Sequence, residues 1–301
     1  MNWNTYINGF TSFITLEKSL SPNSIEAYLR DIRKLKSFLE EQNILIPPTE
    51  VQPEHLHDFS RYLGENKMSE RSQSRVISGI KAFFQYLLLE DLIDVSPAEL
   101  IEGPKIGRKL PPTLSVNEIK KMIRAIDLSK NEGIRNKTII HLLYGCGLRV
   151  SELISLKISD INFSGQFLKI LGKGNKERLV PLGSATIEPI KNYLEEIRNQ
   201  QDAKTEHKDI LFLNRRGGKL SRQMIFYITK DLVEKANINK VISPHSFRHS
   251  FASHLVEGGA DLRIVQQILG HESITTTEIY THLSQEHLEE SILKYHPLSR
   301  D

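Results

Sequence analysis

One cysteine, Cys146, stands in a chain of 301 residues. A lone thiol excludes an internal disulfide framework and a cysteine-based zinc site, and it fits a reducing compartment. No apolar run approaches the roughly 18 residues that would span a bilayer. The opening MNWNTYINGF lacks a basic segment followed by an apolar one, so no signal peptide is read. A cytoplasmic location without a membrane partner is therefore expected. Internal repeats, low-complexity tracts and heptad arrays are also missing.

What is present is enough for buried cores. Hydrophobic residues make up 39% of the chain, which separates it from disordered sequences, and the length favours two domains. The net charge is only +3, but its distribution is uneven. Residues 1–106 hold 11 basic and 15 acidic side chains, which leaves 29 and 22 for the remainder. A basic second part suits a polyanionic partner, and ordinary surface charge would give the same balance.

The first hundred residues read as helices. Ile7, Phe10, Phe13, Ile14 and Leu16 suggest one amphipathic helix. In SPNSIEAYLRDIRKLKSFLEEQ, Ser21 or Asn23 can cap a second helix with Pro22 in its first turn. Tyr28, Ile32, Leu35 and Leu39 form its apolar stripe. Pro47 and Pro48 break the chain, and residues 53–63 form a third helix. Residues 69–89 form a fourth, with Val76, Ile80, Phe83, Phe84 and Leu87 on the buried side. Its polar side carries Arg71, Arg75 and Lys81, where Arg71 and Arg75 are four apart and share a face. This face serves either a phosphate backbone or solvent alone. The run GPKIGRKLPP then marks a basic linker.

The second part opens on a capping box, Ser115 with Glu118, ahead of Ile119, Met122 and Ile123. A helix over 134–144 ends at Gly145-Cys146-Gly147. Arg149 follows, and Glu152, Leu153 and Leu156 make a short amphipathic helix. QFLKILGKGNKERLVPL, residues 166–182, has two apolar runs around Gly172-Lys173-Gly174-Asn175 and reads as a β-hairpin. From Met224 onward the chain is helical, with Gly258-Gly259 between two helices and Gly270 ending the second.

Several of these residues suit phosphoryl transfer to a protein hydroxyl. Guanidinium groups bind two nonbridging oxygens at once and stay charged at working pH. Arg149 and Arg248 each lie near a helix start beside a Gly or Pro turn, where backbone N–H groups also favour an anion. Tyr280 offers a nucleophile, but a phenol of ordinary pKa about 10 needs cations and a proton acceptor nearby. His245 or His271 can take that proton or donate to phosphate oxygens. Lys173, at the hairpin tip, can protonate a leaving oxygen, and Lys176 and Arg178 suit backbone phosphates. His245, His249 and His254 invite a zinc reading, but their gaps of four and five spread them around a helix and no H-E-x-x-H occurs. No carboxylate cluster supports magnesium, so neither metal nor cofactor is expected.

Taken together, G-C-G-L-R-V-S-E-L (145–153), G-K-G-N-K-E-R (172–178), H-S-F-R-H-S-F-A-S-H-L (245–255), L-G-H (269–271) and I-Y-T-H-L (279–283) resemble the tyrosine recombinase, or phage integrase, family and its Xer branch. The N-terminal S-x-N-S-I-x-A-Y-x-x-D-I segment is similar to that family's core-binding domain. The resemblance implies a mainly α fold. Residues 1–103 would be a four-helix, SAM-like core-binding domain and 104–112 a linker. Residues 113–301 would be a mixed α+β catalytic domain with a small antiparallel sheet. It also implies strand cleavage and rejoining on DNA through a 3′-phosphotyrosine on Tyr280. Arg149 and Arg248 would be the clamp, Lys173 the general acid, and His245 and His271 the active-site histidines. A tail from about 284, anchored by Leu288, Ile292 and Leu293, would dock on a neighbouring protomer. The partners implied are a double-stranded recombination site and a tetramer of this chain or of this chain with a paralogue. A DNA translocase is admitted as an activator, and resolution of chromosome or plasmid dimers at cell division is the expected role.

Rival readings are a phage or transposon integrase, a type IB topoisomerase, a catalytically silent DNA-binding protein and a helical interaction module. The integrase often carries an extra N-terminal domain, whereas this chain is expected to start at the core-binding helices. The core-binding helices and docking tail argue against the topoisomerase. The silent protein would lack Tyr280 or an arginine, and the module would not need six polar residues in register.

Overall fold

The computed structural model describes residues 2–18, 20–104, 107, 112–172, 177–270 and 285–299, without the side chains of 285–287 and 299. Lys173, Lys176, His271 and Tyr280 lie outside the described residues. The chain divides into two compact units, residues 1–109 and 110–301.

The first unit is built from α1 (Trp3–Leu16), α2 (Pro22–Glu41), α3 (Pro53–Glu65) and α4 (Glu70–Leu89). Local signals start these helices. Ser21 accepts from the Ser24 N–H, Ser69 accepts from the Ser72 N–H, and Pro22 and Pro53 occupy first-turn positions that need no donor. Phe10, Ile32, Leu35, Phe59, Val76, Phe83 and Phe84 fill the core, and Phe10 meets Phe83 edge to face at 5.4 Å. Leu16, expected on the apolar stripe of α1, is instead 77% exposed. The stripe runs through Trp3, Tyr6, Ile7, Phe10 and Ile14, and Leu16 sits two positions beyond Ile14, on the opposite side of the helix.

One buried charge joins α2 to α4. Asp31 is 1% exposed and accepts a fork of hydrogen bonds from Arg75, at 2.5 and 2.7 Å. Burial pushes its carboxyl above the ordinary range even though Arg75 pulls it down. The space comes from Gly79, where a Cβ would lie 2.9 Å from Asp31 Oδ2.

The second unit contains α5 (Val116–Arg124), α6 (Asn131–Gly145), α7 (Val150–Ser155), β1 (Ile161–Asn162), β2 (Phe167–Leu171) and β3 (Glu177–Pro181). They are followed by α8 (Ser184–Glu196), α9 (Arg222–Lys235), α10 (Pro244–Gly258), α11 (Leu262–Leu269) and α12 (Gln285–Tyr295). The strands form an antiparallel sheet in the order β1-β2-β3, with Leu168 opposite Val180 and Leu171 opposite Glu177. Ser115 and Glu118 exchange capping bonds at the start of α5. α6 is the central helix, with every residue from Thr138 to Gly145 buried, and it packs on α8 and α10. Cys146 follows it, fully buried.

Within the single chain, the tail packs on its own unit. Leu288 and Ile292 are 5% and 1% exposed and join the core of their own unit, while Leu293 points outward. α12 packs on α10 and β3. Beyond it, the His296 ring lies 4.7 Å from Tyr144 and 5.4 Å from Phe251. The apolar periodicity of the tail marks a buried face without saying which surface covers it. Among the described residues, no helix is long and apolar enough to cross a membrane.

Gly79→Ala should destabilise the chain by about 1–3 kcal/mol through overpacking against Asp31, despite the helix preference for alanine. Gly64→Ala in α3, where the nearest atom is Gln73 Nε2 at 4.0 Å, should be neutral or stabilising. Urea unfolding of the two variants checks the contrast, and equal behaviour would remove the steric account of the Asp31 site.

Candidate active site

The site begins with a glycine turn. α6 ends at Gly145, and Gly147 takes φ +58°, with a would-be Cβ 2.6 Å from Phe251 Cδ1 and 3.0 Å from Leu269 Cδ2. Only glycine tolerates both the conformation and the contact. The turn delivers Arg149 to the start of α7 and aims the Gly147 carbonyl at Arg248, whose Nη1 donates to it at 2.6 Å. Arg248 projects from near the start of α10 and is 6% exposed.

Three guanidinium groups then meet the end of α11. Arg178 Nε donates to the Ile268 carbonyl at 2.8 Å, Arg248 Nη2 to Leu269 at 2.5 Å, and Arg149 Nη2 to Gly270 at 3.2 Å. A helix C-terminus leaves its last carbonyls without intrahelical partners and carries partial negative charge, so three cations there satisfy both needs. Gly270 closes the helix at φ +63° and leads directly to position 271. The acid in this network is Glu152. It is 7% exposed and accepts from the Arg149 N–H, Arg149 Nη1, and Arg178 Nη1 and Nη2, all at 2.8 Å. Burial pushes the Glu152 carboxyl up, but Arg178 and Arg149 pull it further down, and it lies below the ordinary carboxylate range. Three arginines against one carboxylate leave a positive surplus, which suits an anion.

A cavity of about 360 Å³ opens beside this network. Arg149, Val150, Ser151, Arg222, Phe226, Ser243, Pro244 and His245 line it, so residues at the starts of α7, α9 and α10 share its wall. His245 has an edge open to solvent. Its partial burial and then the positive surroundings of His249, Arg248 and Arg149 hold its pKa below the ordinary histidine value. It is therefore a neutral imidazole at neutral pH, able to accept a proton. Burial and the neighbouring Arg149 bring Arg248 down to about 10, which leaves it charged. A second cavity, about 370 Å³, lies at the opposite end of α6 from Arg149. Its Lys130 and Arg215 are paired with Asp127 and Glu132, and its Arg135 is turned onto the Leu213 carbonyl and the Asn136 amide.

Of the residues singled out in sequence, Arg149, His245 and Arg248 come together here. Arg178 does not take the outward, backbone-phosphate position expected of it. Its side chain is 10% exposed and turned inward onto Glu152. In the other unit Arg71 is exposed, Arg75 is engaged by Asp31, and Lys81 donates to the Glu99 carbonyl at 3.3 Å. Among the described residues no group of three or more His, Cys, Asp or Glu could hold a metal ion. Sequence reasoning missed Glu152 as a site residue and Arg222 altogether. The Arg149-x-x-Glu152 spacing of a capping box is the signal that could have found the first, whereas nothing local marks Arg222.

Comparison with known proteins gives a consistent match. The phage integrase family model matches residues 112–287, and the phage integrase N-terminal SAM-like domain matches residues 7–91. The tyrosine recombinase XerD of Staphylococcus saprophyticus is 45% identical over 297 residues, covering 97% of this chain and 99% of that protein. That of Staphylococcus aureus is 41% identical, with coverage of 97% and 99%. Among solved structures, a XerH site-specific recombinase bound to a palindromic difH substrate aligns with a TM-score of 0.70 at 26% identity, covering 90% of this chain and 79% of that one.

The imidazole of His245 should titrate below about 6.5, the ordinary histidine value, in an NMR pH series on the DNA-free chain. Its midpoint should rise when Arg149→Ala removes one of the neighbouring positive charges. A midpoint at or above the ordinary value would contradict the electrostatic description of the cavity.

Proposed function

The chain belongs to the phage integrase family as a Xer-type tyrosine recombinase, an enzyme of site-specific DNA recombination, and on that premise we propose which of its residues carry the strand transfer. The observation that supports the assignment is the meeting of Arg149 and Arg248 at the Gly270 end of α11, beside a cationic cavity. These two arginines grip the nonbridging oxygens of one DNA phosphodiester. Their contacts strengthen as negative charge builds toward the pentacoordinate transition state, and each such donor is worth roughly 2.7–4 kcal/mol of barrier.

Tyr280 attacks the phosphorus. The bond from its phenolic oxygen forms as the bond to the 5′-oxygen breaks, and its proton passes to His245 or His271. Lys173 donates the proton that the departing 5′-oxygen needs. The phosphotyrosine link conserves the bond energy until a 5′-hydroxyl from a partner duplex attacks it in turn. Side chains carry each of these steps.

The unit of residues 1–103 grips the duplex through Arg71, Arg75 and Lys81, residues 104–112 link it to the catalytic unit of residues 113–301, and Lys176 lies along the backbone. Two recombination sites are synapsed by a tetramer of this chain, alone or with a paralogous recombinase. Assembly through the tail requires α12 to leave its own unit for a neighbour's, an exchange of one element between protomers. The cellular role is resolution of chromosome or plasmid dimers in the cytoplasm, with a DNA translocase as an activator.

Tyr280→Phe should abolish covalent trapping on a nicked suicide substrate while DNA binding persists, and a surviving adduct would refute the nucleophile assignment. Lys173→Ala should slow cleavage of ordinary DNA far more than cleavage of a 5′-thiolate substrate, whose leaving group needs no proton. Equal slowing of both would remove Lys173 from the acid role. Affinity for DNA should fall steeply with salt as phosphate contacts release counterions, measured by titration across ionic strengths.

A further inference from the structure

We infer that Arg178 is a positioning residue whose task is to neutralise Glu152, so that the charge of Arg149 stays available to the phosphate. The inference rests on the recombinase reading of this site.

The argument is one of charge and access. Glu152 is buried, and a buried carboxylate needs a counter-ion. Two candidates touch it, and they do so differently. Arg178 presents both terminal nitrogens, one to each carboxylate oxygen at 2.8 Å. This is the parallel fork that gives the strongest arginine–carboxylate pairing. Arg149 presents a single terminal nitrogen, Nη1, together with its backbone N–H. The side chain of Arg178 is 10% exposed and that of Arg149 is 32% exposed. Arg149 also lines the cavity, whereas Arg178 does not. The sheltered arginine therefore balances the carboxylate, and the open one keeps donors and charge for an incoming anion.

The same guanidinium fixes geometry. Its Nε caps the Ile268 carbonyl, and a Cβ on Gly270 would stand only 3.0 Å from its Cδ. Arg178 thus ties β3, α7 and the end of α11 together at the spot where Arg149 and Arg248 are seated. Without it, Glu152 would have Arg149 alone. The carboxylate would then draw the second terminal nitrogen of Arg149 inward, and its own charge would oppose the phosphate.

Single-turnover cleavage of a nicked suicide substrate tests this at saturating protein, with DNA affinity measured in parallel. R178Q should slow cleavage about a hundredfold, the scale expected of a displaced reacting group, with affinity changed by less than about twofold. E152Q combined with R178Q should cleave faster than R178Q alone, because a neutral amide needs no counter-ion. A purely structural role for Arg178 would not give that recovery. R178K keeps the charge and loses the fork, so it should fall between wild type and R178Q. If R178Q fails to fold, R178K with and without E152Q carries the same comparison. Wild-type cleavage by R178Q, losses that multiply in the double variant, or a loss confined to affinity would each overturn the inference. Absence of any adduct from the unaltered chain would instead strike the functional reading beneath it.

Discussion

The last two carbonyls of α11 and the carbonyl of its capping residue, Gly270, have no partners within the helix, and the molecule supplies them with three arginines. Arg178, Arg248 and Arg149 arrive from a strand and two different helix starts, and each donates to a successive carbonyl. Much of the second unit is arranged to make this meeting possible. The helix end fixes one nitrogen of each guanidinium, and Glu152 fixes others, so the remaining donors point in set directions before any DNA arrives. Preorganisation of this kind acts on a developing charge because nothing has to be reoriented when the charge appears.

The meeting depends on two glycines. Gly147 folds the chain back between Phe251 and Leu269, and Gly270 turns it away from α11 beside the stem of Arg178. Both take backbone conformations that other residues adopt only with strain. A side chain at either place would separate the arginines from the carbonyls that hold them. The first unit has a smaller version of the same logic. Gly79 makes room for Asp31, and Arg75 satisfies it, so a charged pair crosses a helical core.

Local signals carried most of the fold into the sequence. Ser21 and Ser115 announced their helices because a cap is a contact over three residues, and the hairpin announced itself through its glycines and flanking apolar runs. Longer-range pairings left no such mark. Arg178 follows a glycine-rich turn among basic residues and reads as a surface cation, and the carboxylate that turns it inward is 26 positions away. Arg75 shares a face with Arg71 by spacing, yet Asp31, 44 positions away, engages it. The tail's apolar positions were visible, but amphipathicity does not name the surface it will meet. α8 and the two-residue β1 passed unread, the one because Pro189 interrupts its pattern and the other because two residues carry no period.

Cys146 has a further consequence through its place beside the Gly147 turn. It is fully buried, and burial pushes its thiol up to about 12. Reactivity toward oxidants and alkylating agents belongs to the exposed thiolate, and here neither the exposure nor the ionisation is present. The enzyme's only sulfhydryl is thus chemically silent while the fold is intact. Redox stress that inactivates thiol-dependent enzymes has no cysteine to reach in this one.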